Sequence, residues 1–112
     1  MNADRTRKIP INEKGIREVI KQVPLVLFGL SYCPWCDRAD EMLAAYNPKK
    51  IEIDLLPHGR ALLTRKALMK ISGMTTFPQI FLKGKLLGGF TETRKKIQRS
   101  RRIRKQLENL VN

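Results

Sequence analysis

The chain's only two cysteines are separated by two residues in Cys33-Pro34-Trp35-Cys36. Thiols at that spacing can close a small disulfide, and a cysteine just ahead of a helix meets unpaired N–H groups and the positive end of the helix dipole, which favour its thiolate. The pair therefore points to thiol–disulfide exchange. Cys33 would attack, and Cys36, one turn further in and shielded, would resolve the mixed disulfide. Asp37 and Asp40 oppose the ionisation and Arg38 offsets them in part, so the expected bias of Cys33 towards thiolate is moderate. Two other uses of the pair stay open at this point: small buried hydrophobes, or half of a zinc site with His58 as a further donor.

Such chemistry needs elements that hold the motif. Leu25 to Leu30 is apolar throughout, as in a central strand covered on both faces. Pro34 suits the first turn of a helix, where its missing N–H costs nothing, and Ala39, Met42, Leu43 and Tyr46 continue it to Asn47-Pro48. Upstream, Asn12 is a candidate N-cap for a helix with Ile16, Val19, Ile20 and Val23 on one face, stopped by Pro24. Downstream, Ile51 to Leu55 alternates like a strand, and His58 to Ser72 predicts a helix with Leu62, Leu63, Ala67, Leu68 and Ile71 inward, capped by Gly73. A third strand is expected over 77–82 and a fourth over 86–87, joined by a hairpin turn at Lys83-Gly84-Lys85; Gly88-Gly89 precedes a last helical segment. The order is αβαβαββα: an α/β chain with a four-stranded mixed β-sheet and helices on both faces.

With 112 residues the chain is sized for one domain, 1–112: an N-terminal extension and helix over 1–22, a redox core over 23–92 and a basic C-terminal helix over 93–112. Hydrophobic and charged contents of 42% and 29% exclude a disordered composition. No apolar run approaches the roughly 18 residues of a membrane span, and no signal-peptide pattern follows Met1, so no membrane contact is expected. One C-x-x-C is no disulfide framework, which makes a reducing compartment, the cytoplasm, the expected location, with the chain a monomer.

Three separated motifs resemble those of dithiol glutaredoxins, members of the thioredoxin-fold superfamily. Phe28-Gly29-Leu30-Ser31-Tyr32-Cys33-Pro34-Trp35-Cys36 is similar to the family's strand and C-P-Y-C, with Trp35 in place of tyrosine. Thr76-Phe77-Pro78-Gln79-Ile80-Phe81 resembles T-V-P-x-[IV]-F, and Gly88-Gly89-Phe90-Thr91-Glu92 resembles G-G-[YF]-[ST]-D. The resemblance spans about residues 23–92 and implies a thioredoxin-like fold with Cys33 and Cys36 as catalytic residues. It implies that Pro34, Trp35, Thr76, Phe77, Pro78, Gly89, Phe90, Thr91 and Glu92 bind glutathione or substrate. Pro78 would be a cis-proline bringing the backbone of Phe77 beside Cys33, to pair with a peptide or with glutathione's cysteinyl unit. Thr91 and Glu92 would hold the carboxylate and amine of the γ-glutamyl end; without the family, Thr91 is simply an N-cap.

The implied function is reduction of protein disulfides or glutathione mixed disulfides, with reduced glutathione as donor and neither metal nor bound organic cofactor. The family usually places a cation a few residues before the first cysteine and another just before T-V-P; here those positions are Leu30 and Thr75. Losing one charge-assisted hydrogen bond, roughly 1.5–3 kcal/mol, would weaken glutathione binding about ten- to a hundredfold. Rival readings are a redoxin reduced by a flavoprotein disulfide reductase, a glutathione-bridged iron–sulfur carrier, and a non-catalytic redoxin-fold module.

That last reading draws on charge. The chain carries +13, and residues 91–112 hold eight basic residues against two acidic ones. Ile103, Leu107 and Leu110 share one helical face, as in an amphipathic helix with solvated charges. The alternative use is docking to an acidic protein or to nucleic acid phosphates; the segment after Phe90 has no aromatic residue for base stacking.

Overall fold

The computed structural model describes residues 12–57 and 59–111. Helix α1 (Glu13–Gln22) opens on Asn12, whose side-chain oxygen accepts from the Gly15 N–H at 2.8 Å, and ends at Val23 in extended conformation before Pro24. Strand β1 (Leu25–Gly29) leads to α2 (Pro34–Leu43), with Pro34 in its first turn, and β2 (Lys49–Glu52) follows. Helix α3 (Arg60–Ser72) closes on Gly73 at φ +73°, a left-handed conformation open to glycine at little cost, with the Gly73 N–H donating to the Met69 carbonyl. Strands β3 (Gln79–Leu82) and β4 (Lys85–Gly88) form a hairpin through Lys83 and Gly84, both at positive φ as a two-residue turn of this kind requires. Helices α4 (Phe90–Arg99) and α5 (Arg101–Asn109) complete the chain.

The sheet order is β2-β1-β3-β4, with β1 and β2 parallel and the other pairs antiparallel. Side chains alternate across it. Val26 and Phe28 of β1 and Phe81 of β3 face one layer with Ile16, Ile20, Ala67 and Leu68 of α1 and α3. Leu25, Leu27, Ile80 and Leu82 face the other, with Ala39 and Leu43 of α2 and Leu107 of α5. Helices thus cover both faces, as expected. The strands at the two rims, β2 and β4, carry exposed Lys49, Lys50 and Lys85.

Four expectations need correction. Strand β2 begins at Lys49 and stops at Glu52, because Ile53–Leu55 turns as a 3-10 helix that buries Ile53 and leaves Leu55 exposed. Leu62 and Leu63 point outward: the buried face of α3 runs back from Ala67 and Leu68 through Thr64 at helical spacing. The third strand starts at Gln79, after the Phe77–Pro78 bond, not at Phe77. The C-terminal segment is two helices rather than one from residue 93; Ser100, at φ −107° and ψ 109°, breaks them, and its hydroxyl accepts from the Ile103 N–H. The last helix is docked by its apolar face. Leu107 is fully buried, and Ile103 and Leu110 pack beside it.

Candidate active site

Cys33 is the N-cap of α2. Its sulfur accepts a hydrogen bond from the Cys36 N–H at 3.1 Å, one of the orphan donors of the first turn. The loop that delivers it is held by Asp54, whose carboxylate accepts from the Ser31 N–H at 2.8 Å and from the Ser31 hydroxyl. Those hydrogen bonds, the hydroxyl's foremost, keep the Asp54 carboxyl below its ordinary range. Cys33 is partly exposed and Cys36 fully buried, with both thiols free. Burial, and then the interaction with Cys33, push the Cys36 thiol up to about 12, so it stays protonated at neutral pH. Gly29 leaves room for it: a Cβ there would sit 3.2 Å from the Cys36 Sγ and 3.3 Å from its Cβ.

Opposite Cys33 runs the 74–78 segment. The Phe77–Pro78 peptide bond is cis, and the Phe77 carbonyl lies 3.9 Å from the Cys33 sulfur. Gln79, buried at the start of β3, donates from its side-chain nitrogen to the carbonyls of Met74 and Thr76 and so ties the segment down. The third motif supplies the far wall. Gly89, not Thr91, is the N-cap of α4; the Glu92 carboxylate accepts from the Gly89 N–H at 2.9 Å, and Thr91 is exposed in the first turn.

These pieces enclose an open groove of about 440 Å³ lined by Trp35, Thr76, Phe77, Pro78, Phe90 and Glu92, with Met74, Gly88, Gly89 and Thr91 completing it. All but one of the residues expected to bind glutathione or substrate come together here: Pro34 is exposed and lies outside the lining, while catalytic Cys33 borders the groove through its contact with Phe77. Leu30 packs on the core and Thr75 is exposed, so neither brings a cation to the groove. Arg65 of α3 does come near, its guanidinium 5.4 Å from the centre of the Phe77 ring. The sequence carried no sign of this, because nothing in a one-residue arginine marks which ring it will cover. Arg38 stands over Trp35 at 4.6 Å and Trp35 meets Phe90 at 5.6 Å.

Among the described residues no group of three or more His, Cys, Asp or Glu side chains could hold a metal ion, and His58 lies outside those residues. No helix there is long and apolar enough to cross a membrane.

Known proteins resemble this chain in sequence and in fold. The sequence model of the Glutaredoxin family matches residues 25–87. A chloroplastic glutaredoxin-C4 of Oryza sativa is 37% identical over 79 residues, which cover 69% of this chain and 58% of that protein. An uncharacterized monothiol glutaredoxin of Caenorhabditis elegans is 34% identical over 108 residues, 94% of this chain and 70% of that protein. The crystal structure of a buckwheat glutaredoxin–glutathione complex has the same fold, with a TM-score of 0.77 at 23% identity, covering 93% of this chain and 94% of that one.

Proposed function

The chain belongs to the glutaredoxin family, and on that premise we propose that it is a thiol–disulfide oxidoreductase acting on protein disulfides and glutathione mixed disulfides, with reduced glutathione as electron donor. The observation that carries this reading is the Cys36 N–H aimed at the Cys33 sulfur, beside a groove large enough for a tripeptide and across from the Phe77 carbonyl.

The Cys33 thiolate attacks the glutathione sulfur of a mixed disulfide. The S–S bond breaks, the target leaves as a thiolate and takes a proton, and glutathione stays on Cys33. A second glutathione thiolate then attacks the bound glutathione sulfur; glutathione disulfide departs and Cys33 is restored. With a protein disulfide, the Cys33 thiolate attacks one sulfur and the other leaves as a thiolate and takes a proton; Cys36 then gives up its proton and attacks the Cys33 sulfur, breaking the Cys33–target bond and releasing the reduced target. The resulting Cys33–Cys36 disulfide is reduced by two glutathione molecules. Because burial holds Cys36 protonated, it does not compete with Cys33 in the resting state.

In this reading glutathione lies along the groove. Its cysteinyl unit pairs with the backbone of Phe77, its γ-glutamyl carboxylate with the first turn of α4 at Thr91, and its amine with Glu92. Arg65, lining a neighbouring hollow with Lys66, Met74 and Phe77, supplies the cation for the glycine carboxylate that Leu30 and Thr75 do not. The proposal includes a reducing compartment, the cytoplasm, where Cys33 is returned to the thiol.

A coupled assay tests the reading, with a small glutathione mixed disulfide, glutathione, glutathione reductase and NADPH. Cys33→Ser abolishes turnover; Cys36→Ser keeps it with the small substrate and loses reduction of protein disulfides. Turnover by Cys33→Ser would end the mechanism. Turnover with a flavoprotein disulfide reductase but not with glutathione would reassign the donor.

A further inference from the structure

We propose that the lip of the groove formed by Arg38 and Arg94 is a docking surface for acidic segments, so that this protein's substrates carry Asp or Glu beside the reactive cysteine. The inference rests on the oxidoreductase reading above and adds the substrate class. Four side chains make a continuous stack across the top of the site. The Arg38 guanidinium lies 4.6 Å from the Trp35 ring, Trp35 and Phe90 are 5.6 Å apart, and Arg94 lies 5.5 Å from the Phe90 ring. Both arginines are exposed, and neither has a carboxylate partner among the described residues.

Stacking on a ring occupies a guanidinium's face and leaves its in-plane N–H donors free for a carboxylate. It also holds two long side chains in place before a partner arrives, which lowers the ordering cost of binding. The acids nearby are largely engaged elsewhere. Asp40 pairs with Lys50 at 3.3 Å and Glu92 accepts from the Gly89 N–H, which leaves Asp37 and Glu41 on α2 as the local negative charges. On the Phe77 side, Arg65 and Lys66 line the neighbouring hollow and add two more cations near the site. Trp35 itself stands between the two cysteines in sequence, so the stack lies where a substrate's flanking residues must pass. The chain's +13 charge adds long-range attraction for an acidic partner.

Trp35 is the chain's single tryptophan, so its fluorescence reads occupancy of the stack. The probes are two short peptides with a central S-methylcysteine, one flanked by glutamates and the other by glutamines, titrated at about 20 mM and about 500 mM salt. The glutamate peptide binds about three- to tenfold more tightly at low salt and loses that advantage at high salt. The double substitution Arg38→Gln with Arg94→Gln removes the preference by weakening binding of the glutamate peptide, while affinity for the glutamine peptide stays unchanged. Equal affinity for the two peptides, or a preference that survives the double substitution, overturns the proposal. The two readings fail separately: absent turnover of the small mixed disulfide removes the oxidoreductase reading, and the salt-dependent titration still decides the acidic-segment site.

Discussion

Replacing Gly29 by alanine should damage both the stability and the reactivity of this protein. The new Cβ would meet the Cys36 Sγ at 3.2 Å, its Cβ at 3.3 Å and a Leu27 methyl at 3.2 Å. Relief requires displacements of a few tenths of an ångström, and the Cys36 Cβ is not a flexible tip that can swing aside. It is fixed to the first turn of α2, whose Ala39 and Leu43 are fully buried. Overpacking of this kind costs about 1–3 kcal/mol, offset by roughly 0.5–1 kcal/mol because alanine orders more cheaply in a strand than glycine. A net loss of about 1 kcal/mol lowers the Tm of a domain this size by about 4–8 °C. The same displacement stretches the 3.1 Å hydrogen bond from the Cys36 N–H to the Cys33 sulfur. A bond to a charged acceptor is worth about 1.5–3 kcal/mol, and losing about a third of it slows thiolate reactions about two- to fivefold. Iodoacetamide alkylation of Cys33 at pH 7 measures this directly, since buried, protonated Cys36 stays silent. Gly29→Val should be worse on both counts. An alanine variant that is more stable than the parent and alkylates at the parental rate would refute the reasoning.

Three further outcomes can be measured. Gln79→Leu keeps the volume but leaves the Met74 and Thr76 carbonyls without their donor, so it costs about 1–3 kcal/mol in urea unfolding and raises the KM for glutathione; an unchanged KM would show that the 74–77 segment holds its own shape. Leu107→Ala empties a fully buried position under α5 and should cost about 2–5 kcal/mol, whereas a surface appendage would cost nearly nothing. The Cys36 thiol, ordinarily at 9.0, is raised to about 12 on folding, so the folded state is favoured fully below pH 9 and loses that contribution as pH rises towards 12. Denaturation midpoints of the reduced protein between pH 8 and 11 should therefore fall more steeply than those of Cys36→Ser, and parallel slopes would contradict it.

Much of this architecture was legible in residue pattern. The apolar run into Cys33-Pro34-Trp35-Cys36 and the helical periodicity after it mark β1 and α2 because burial on both faces and a proline-started helix leave strong local signals. The alternation Ile51-Glu52-Ile53-Asp54-Leu55 misled, since Ile53 is buried by a turn and Asp54 is held there by Ser31, a residue 23 positions away. Leu62 and Leu63 misled for a related reason: a leucine-rich helix presents more than one apolar face, and only packing against β1 and β3 selects the one through Thr64, Ala67 and Leu68. Within the site, the lining motifs were recognisable as motifs. The groove's electrostatics were not, because Arg65 over Phe77 and Arg38 over Trp35 depend on where α3 and the α2–α4 contact settle in space.

The rims of the sheet bear on what happens when this molecule is tethered to another through sulfur. Open strand edges invite a second backbone to zip alongside, and a covalent tether holds neighbours close for long enough to make that a hazard. Here β2 presents Lys49 along one margin, beside Lys50 in its pair with Asp40, and β4 presents Lys85 on the other. Margins of like sign repel their own kind, so a crowded, partly oxidised population is kept from growing into ribbons.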